Sequence, residues 1–470
     1  MTPVPFCSLF RPSGTFAAPK SGAGLGRPAP LSEVRSILRK VHPMAGMTRG
    51  DVHEYINGVC FKTGPPGKVG AETEWLVTDT AVPDGTVTID RLTALLEDTG
   101  PLPAGSRVTF EPGGQIELSS PALPGPARAH EALAADLGHL TKALDQEGLA
   151  LTGAALDPVR APGRQLRQPR YEAMDRFFTG RRTRGGHTMM CATASLQVCL
   201  DTGADPGDLR DRWGFAHRLG PVLVAAFANS ALWRGRPTGW KSTRWAIWAG
   251  MDADRTAPVL EPEGPDDPAG AWAAYALNAS VMAIPEIPGG GGTWLADPGI
   301  TFAEWITGHG PRPATTADLE LHLSTLFPPV RPRGWWELRM IDALPLQWWP
   351  VPVAVAAALF DDPRARDTAE EAVRRICAGT APGRGLWLRA ARDGMADPAL
   401  AACARSCLDA AVDALPRMGA AKLARLVDDY ADRHTRRGLS PADMRPGTPG
   451  PRPDGAGMTD HHFRHSGGTR

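Results

Sequence analysis

Arg107-Val-Thr-Phe-Glu-Pro-Gly-Gly-Gln-Ile-Glu-Leu-Ser-Ser120 reads as two short strands folded about Pro112-Gly113-Gly114, with a carboxylate on each arm. Val108 and Phe110 alternate with Thr109 and Glu111, and Ile116 and Leu118 alternate with Gln115, Glu117 and Ser119. A period of two marks a strand with one apolar and one polar face, so Glu111 and Glu117 share the polar side of a sheet. Two carboxylates about 4 Å apart repel by roughly 4 kcal/mol at an effective dielectric near 20. Such a face needs wide separation in solvent or a cation, and a hard, oxygen-preferring metal ion would satisfy it.

Outward from this hairpin the pattern recurs. In Val69-Gly-Ala-Glu-Thr-Glu-Trp-Leu-Val77, Glu72, Glu74 and Leu76 share one face, and Ala71, Thr73, Trp75 and Val77 the other. In Cys191 to Asp201, Leu196, Val198 and Leu200 oppose Ser195, Gln197 and Cys199, polar groups suited to a substrate or a metal-bound water and equally to a solvated face. Arg333-Gly-Trp-Trp-Glu-Leu-Arg-Met-Ile341 is the last strong strand, with Glu337 and Arg339 opposite Trp336, Leu338 and Met340. Trp240-Lys-Ser-Thr-Arg-Trp-Ala-Ile-Trp248 also reads as a strand, its Lys241 and Arg244 set among tryptophans. An arginine fork matches carboxylates and phosphates, with a surface ion pair as the plainer alternative.

Helical patterns fill the intervals: Thr48 with Asp51 starts a helix through about Cys60, and others cover about 89–98, 128–147, 171–178, 211–233 and 318–327. The stripe Leu133, Leu137, Leu140 and Leu144 is core. Alanine-rich helices dominate 352–433. Residues 1–47 read as a disordered leader, 48–437 as one catalytic domain and 438–470 as a disordered tail whose His461, His462 and His465 are incidental. The glycines Gly289 to Gly292 and the run Gly308-His-Gly310 read as a loop or lid. Polar-faced strands dispersed among helices, without regular alternation, predict an α+β fold with a largely antiparallel sheet.

The balance of 51 basic and 51 acidic residues argues against generic nucleic-acid binding. Seven cysteines scattered over 470 residues do not make a disulfide framework, which fits a reducing cytoplasm. Cys403 and Cys407 are four apart on a helix but lack further ligands, and read as small buried hydrophobes. No apolar run is long enough for a membrane span.

Glu72, Glu74, Glu111, Glu117 and Glu337 thus sit on four strand-like arms. One such residue is usually a solvated sheet position, but convergence of several demands divalent cations, and Mg2+ held by carboxylates commonly handles nucleotide phosphates. Gly64-Pro-Pro-Gly-Lys68 lacks the spacing and the Ser or Thr of a phosphate loop, and no serine-hydrolase elbow, zinc-protease pair or dinucleotide fingerprint is present. The residues alone indicate a metal-dependent, nucleotide-using enzyme.

The same stretches resemble the glutamate-cysteine ligase family of the plant and bacterial type, in particular its actinobacterial branch serving ergothioneine synthesis. The motifs are Val69-Gly-Ala-Glu-Thr-Glu74, Phe110 to Ser119, Met189-Met-Cys-Ala-Thr-Ala-Ser-Leu-Gln-Val198, the run from Trp240 into Asp252-Ala-Asp-Arg-Thr256, and Trp336-Glu-Leu-Arg-Met340. Together they span roughly residues 50 to 430. The resemblance implies a glutamine-synthetase-like curved antiparallel sheet, a funnel flanked by helices. It further implies ATP-dependent joining of the L-glutamate γ-carboxyl to the L-cysteine amine through γ-glutamyl phosphate. By motif position, Glu72, Glu74, Glu111, Glu117 and Glu337 would hold Mg2+, or Mn2+ in its place. Arg339, with Glu337 the catalytic pair, would neutralise the transferring phosphate or the substrate carboxylate, Lys241, Arg244 and Arg255 would make related contacts, and Ser195 and Gln197 would line the site. Two alternatives stay open: a ligase of this fold using another amine, and a non-catalytic metal- or nucleotide-binding regulator.

Overall fold

The computed structural model describes residues 46–444 apart from 182, 184, 260–266, 287–293 and 378–381. The leader to residue 45, the Gly289 to Gly292 run and the tail histidines His461, His462 and His465 lie outside the described residues.

An eight-stranded sheet forms the centre. Its strands are β1 (Lys68–Asp79), β2 (Arg107–Phe110), β3 (Ile116–Ser119), β4 (Leu123–Pro124), β5 (Leu149–Thr152), β6 (Ser195–Leu200), β11 (Val330–Pro332) and β12 (Trp336–Asp342), with two-stranded ribbons β7–β8 (Leu232–Trp233, Arg236–Pro237) and β9–β10 (Ala283–Pro285, Trp294–Ala296) apart from it. The order is β11-β12-β6-β1-β3-β2, with β4 and β5 also paired to β1, and every strand pair is antiparallel. The α+β architecture expected from the sequence is therefore present, built on the strands that the period-two pattern marks. Helices α1 (Arg49–Tyr55), capped by Thr48, and α2 (Ile89–Thr99), capped by Thr88, fall where the sequence places them.

Register decides what each face carries, because residues directly opposed across antiparallel strands point to the same side. Arg331 pairs with Glu337, Glu337 with Cys199, Glu72 with Gln197 and Ser119, and Glu74 with Glu117, which in turn pairs with Thr109. All of these share one face. The alternate residues Trp75, Ile116, Leu118, Leu196, Val198, Trp336 and Leu338 are buried in the main core on the other. Against that apolar face pack α3 (Gly125–Gln146), whose Leu133, Leu137, Leu140 and Leu144 are buried, and α6 (Pro206–Ala226), whose Trp213 lies 5.1 Å from Trp336. Burying each such side chain contributes about 1.5–3 kcal/mol. The C-terminal helices begin with Pro350–Asp361, apolar all round and enclosed on all sides.

Three expectations need correcting. Residues 240–248 are not a strand: Thr243–Met251 is a helix, here α7. The Ser242 hydroxyl caps it by accepting from Trp245 N at 3.2 Å. Trp245 and Trp248, three apart, both reach the interior on one helical side, whereas in a strand they would point to opposite faces. The second glycine run is not all loop, since Phe302–Glu304 runs on through a wider turn to His309. Residues 438–444, grouped with the tail by composition, pack on the body: Ala442 is fully buried and its N–H donates to Ala228 O at 3.0 Å. Cys403 and Cys407 are buried, as small hydrophobes would be.

Candidate active site

The hairpin sets the geometry. Glu111 closes β2, its N–H donating to Gln115 O at 2.9 Å while Gly114 N–H returns to Glu111 O at 2.9 Å. Gly113 presses so close to α5 (Gly186–Ala192) that a Cβ there would lie 2.1 Å from Cys191 O. On the other flank Pro112 O accepts from Gln165 N at 2.7 Å, and the Gln165 carboxamide donates to Gly113 O at 2.8 Å. The turn carrying Glu111 is thus clamped from both sides.

One carboxylate oxygen each from Glu74, Glu111 and Glu117 lies within 4.8 Å of the others, and all three side chains are half-buried. Among the described residues this is the one such gathering of three metal-type ligands. Glu74 accepts from Ser195 N and Oγ, both at 2.7 Å, and from Gln197 Nε2 at 3.2 Å. Glu117 accepts from Thr109 Oγ1 at 2.9 Å and Ser119 Oγ at 3.2 Å. Burial, reinforced by Glu117 and Glu74, holds the Glu111 carboxyl well above its ordinary range, and burial with Glu74 raises Glu117. Convergent oxygen donors whose mutual repulsion raises their own proton affinity are the donor set a hard cation would relieve.

Beside the acids lies a cationic half. Glu337, fully buried, accepts from Arg331 Nε at 2.5 Å and Nη2 at 3.2 Å and from Arg339 Nη1 at 3.3 Å, with Arg333 Nη1 at 3.5 Å. Burial alone would raise this carboxyl, but Arg331, Arg339 and Arg333 outweigh it and hold it far below the usual range. Gln197 joins the halves, its amide nitrogen on Glu74 and its oxygen accepting from Arg339 Nη1. Glu72, 8% exposed, lies between them; burial first, then Glu337 and Glu117, push it up to about 8 against the pull of Arg333 and Arg331. Of the five expected metal ligands, then, three converge; Glu72 stands next to them, and Glu337 is engaged by arginines because its register partner is Arg331.

Ser195 and Gln197 lie against Glu74, and Arg339 lies against Gln197 and Glu337. Arg244 stands directly behind Arg339, donating Nη2 to Arg339 O at 2.9 Å, and is 2% exposed. Its nearest carboxylate, Asp342 at 3.5 Å, is held by Asn229 N, Ser230 Oγ and Ser242 Oγ. Lys241 and Arg255 are not brought to the site. Lys241 pairs with Asp443, and Arg255 is enclosed by Asp252 Oδ2, Thr325 O and Ser280 O. Arg331 and Arg333 are additions to the expected set, although mirroring the hairpin about Gly334 sets Arg331 opposite Glu337. Arg170 and Tyr171, at the start of α4 (Pro169–Gly180), carry no signal in the sequence pattern; both interact electrostatically with Glu111.

One sheet face thus gathers three carboxylates that could hold a metal ion beside a cluster of guanidiniums around Glu337. Residues 68–444 match glutamate-cysteine ligase family 2, and the chain belongs to that family. It is 40% identical over 408 residues to the glutamate–cysteine ligase EgtA of Mycolicibacterium smegmatis, covering 83% of this chain and 92% of the relative. The EgtA of Mycobacterium tuberculosis is also 40% identical, with 83% and 88% covered. The chloroplastic glutamate–cysteine ligase of Arabidopsis thaliana is 31% identical over 54% of this chain and 49% of its own. A solved structure described as a novel glutamine synthase homolog aligns over 82% of this chain and 73% of its own at TM-score 0.33 and 13% identity, too distant to bear on the site. No helix among the described residues is long and apolar enough to cross a membrane.

Proposed function

We propose that this protein joins the γ-carboxyl of L-glutamate to the amine of L-cysteine, with ATP as co-substrate, giving γ-glutamylcysteine, ADP and phosphate in the cytoplasm for ergothioneine synthesis. The family and the names of the mycobacterial relatives support the reaction, and one observation carries it: Gln197 joins the Glu74, Glu111 and Glu117 cluster to the arginines around Glu337. Phosphoryl transfer between two anions needs positive charge on the transferring oxygens and fixed positions for both partners. Glu74, Glu111 and Glu117 would hold Mg2+, or Mn2+ in its place, which would supply charge neutralisation at the nucleotide phosphates. Arg339 stabilises charge that develops as the glutamate γ-carboxylate oxygen attacks the terminal phosphorus and ADP leaves. Arg244, buried behind Arg339, fixes the backbone that carries it by donating to its carbonyl. The amine then attacks the acyl carbon, and phosphate leaves as the amide forms. Arg170 and Tyr171, which interact with Glu111, border the opposite end.

Incubation with ATP, Mg2+, glutamate and cysteine tests the proposal by release of ADP and γ-glutamylcysteine in equal amounts. ADP release indifferent to both amino acids would overturn it, and a panel of amines identifies the acceptor.

A further inference from the structure

Adjacent tryptophans at the start of β12 have opposite fates. Trp336 is fully buried, 5.6 Å from Phe61 and 5.1 Å from Trp213. Trp335, one residue earlier in the turn between β11 and β12, is only half-buried and has the Arg333 guanidinium 5.5 Å from its ring centroid. Core packing accounts for Trp336. It does not account for a large indole left partly in water beside a charged cluster.

The turn that holds Trp335 is fixed. Gly334 has φ 81°, its N–H donates to Cys60 O at 2.8 Å, and a Cβ on it would lie 2.9 Å from Val59 O. Arg333 also reaches Glu337 at 3.5 Å. A continuous row results: the indole, Arg333, Glu337 with Arg339, Gln197, and the carboxylate trio. From β12 through β6 and β1 to β3 there are three inter-strand steps, about 14 Å at ~4.8 Å each, a length that suits an extended nucleoside triphosphate.

We propose that Trp335, steadied by Arg333, is the platform on which the purine ring of the nucleotide stacks, so that its phosphates run along the arginines toward Glu74, Glu111 and Glu117. The inference rests on the ATP-dependent reading above. An indole offers a flat π surface, and the guanidinium over it adds a second planar, cationic one; neither depends on hydrogen bonding to a particular base edge.

Titration of ATP and of tripolyphosphate into wild-type, Trp335→Ala and Trp335→Phe proteins, each with Mg2+, separates base from phosphate recognition. Trp335→Ala should weaken ATP binding by about ten- to a hundredfold, as loss of one stacked base implies, while tripolyphosphate binding is unchanged. Trp335→Phe should restore most of the ATP affinity. Photolabelling of the wild type with 8-azido-ATP should place the label on the peptide containing Arg333 and Trp335, a result that needs no variant to fold. Equal ATP affinity in a folded Trp335→Ala protein, parallel loss of both ligands, or labelling elsewhere would each overturn the platform. A wild type that does not bind ATP at all would instead overturn the ligase reading.

Discussion

Glu74 and Glu117 stand directly opposite each other across the β1–β3 pair, two carboxylates at one register position, with Glu111 completing the cluster. Like charges opposed across antiparallel strands destabilise the sheet, and here hydroxyls and a backbone N–H only partly compensate. A cation bound here would turn this liability into affinity. Replacing Glu117 with Gln should therefore stabilise the metal-free protein, by about 0.5–1 kcal/mol, while abolishing activity. The same variant should lose the rise in melting temperature that Mg2+ gives the wild type. Thermal melts of both proteins with and without Mg2+ check this; a wild type that melts identically in either condition contradicts it.

The opposite sign is expected for Glu337. Its carboxylate is fully buried and neutralises Arg331 and Arg339, so Glu337→Gln leaves guanidiniums without their counter-charge, at a cost of about 3–5 kcal/mol. Because this carboxyl is held below its ordinary value in the fold, its contribution is present at neutral pH and lost as the solution is acidified through the folded value. Urea unfolding at pH 7 should show the loss, and the gap between wild type and variant should narrow in acid. A variant as stable as wild type at pH 7 would mean that the arginines find other partners.

The acids were legible in the sequence because a strand's period of two exposes which residues share a face, and Glu72, Glu74, Glu111, Glu117 and Glu337 all fall on the side opposite Trp75, Leu118 and Trp336. The arginines were less so. β11 is only three residues long and shows no alternation, so Arg331 gains meaning only once the hairpin about Gly334 is closed. Lys241 draws attention because it sits among tryptophans and Arg255 because of its place in a family motif, but the direction of a long side chain is set by tertiary packing: Asp443 takes one, and Asp252 with two carbonyls takes the other. Residues 240–248 read as a strand because tryptophan and isoleucine favour sheets, and the cap at Ser242 outweighs that preference.

Burial and mutual repulsion raise Glu72, Glu111 and Glu117 together, Glu72 from 4.5 to about 8. A carboxyl whose folded value lies above its unfolded one keeps its proton longer in the native state, so unfolding releases protons across that window and stability falls as pH rises through it. The metal-free protein should lose stability from about pH 5 to pH 8, Mg2+ should flatten the slope, and Glu72→Gln should remove part of it. Melting temperatures across that range provide the check. A metal-free protein that grows more stable toward pH 8 would show that these carboxylates are ionised throughout.

Gly113 links the hairpin to the rest of the site, since a methyl group there would lie 2.1 Å from the Cys191 carbonyl, and backbone cannot yield as a flexible side-chain tip does. Gly113→Ala must shift the turn, and with it Glu111, while β1, β3 and their hydrogen bonds remain. A displacement of about 1 Å at a reacting centre costs roughly a hundredfold in rate, so kcat/KM should fall by at least about that much and Mn2+ affinity should drop with it. Gly138, in the middle of α3, is the control, because a methyl group added there would meet nothing within 4 Å. Gly138→Ala should raise stability by about 0.5–1 kcal/mol and leave the kinetics alone, because alanine only lowers the entropy of the unfolded chain there. Comparing Mn2+ titrations and initial rates for the two variants isolates the turn: equal activity in both would show that Glu111 can reach the cluster without the close approach at Cys191.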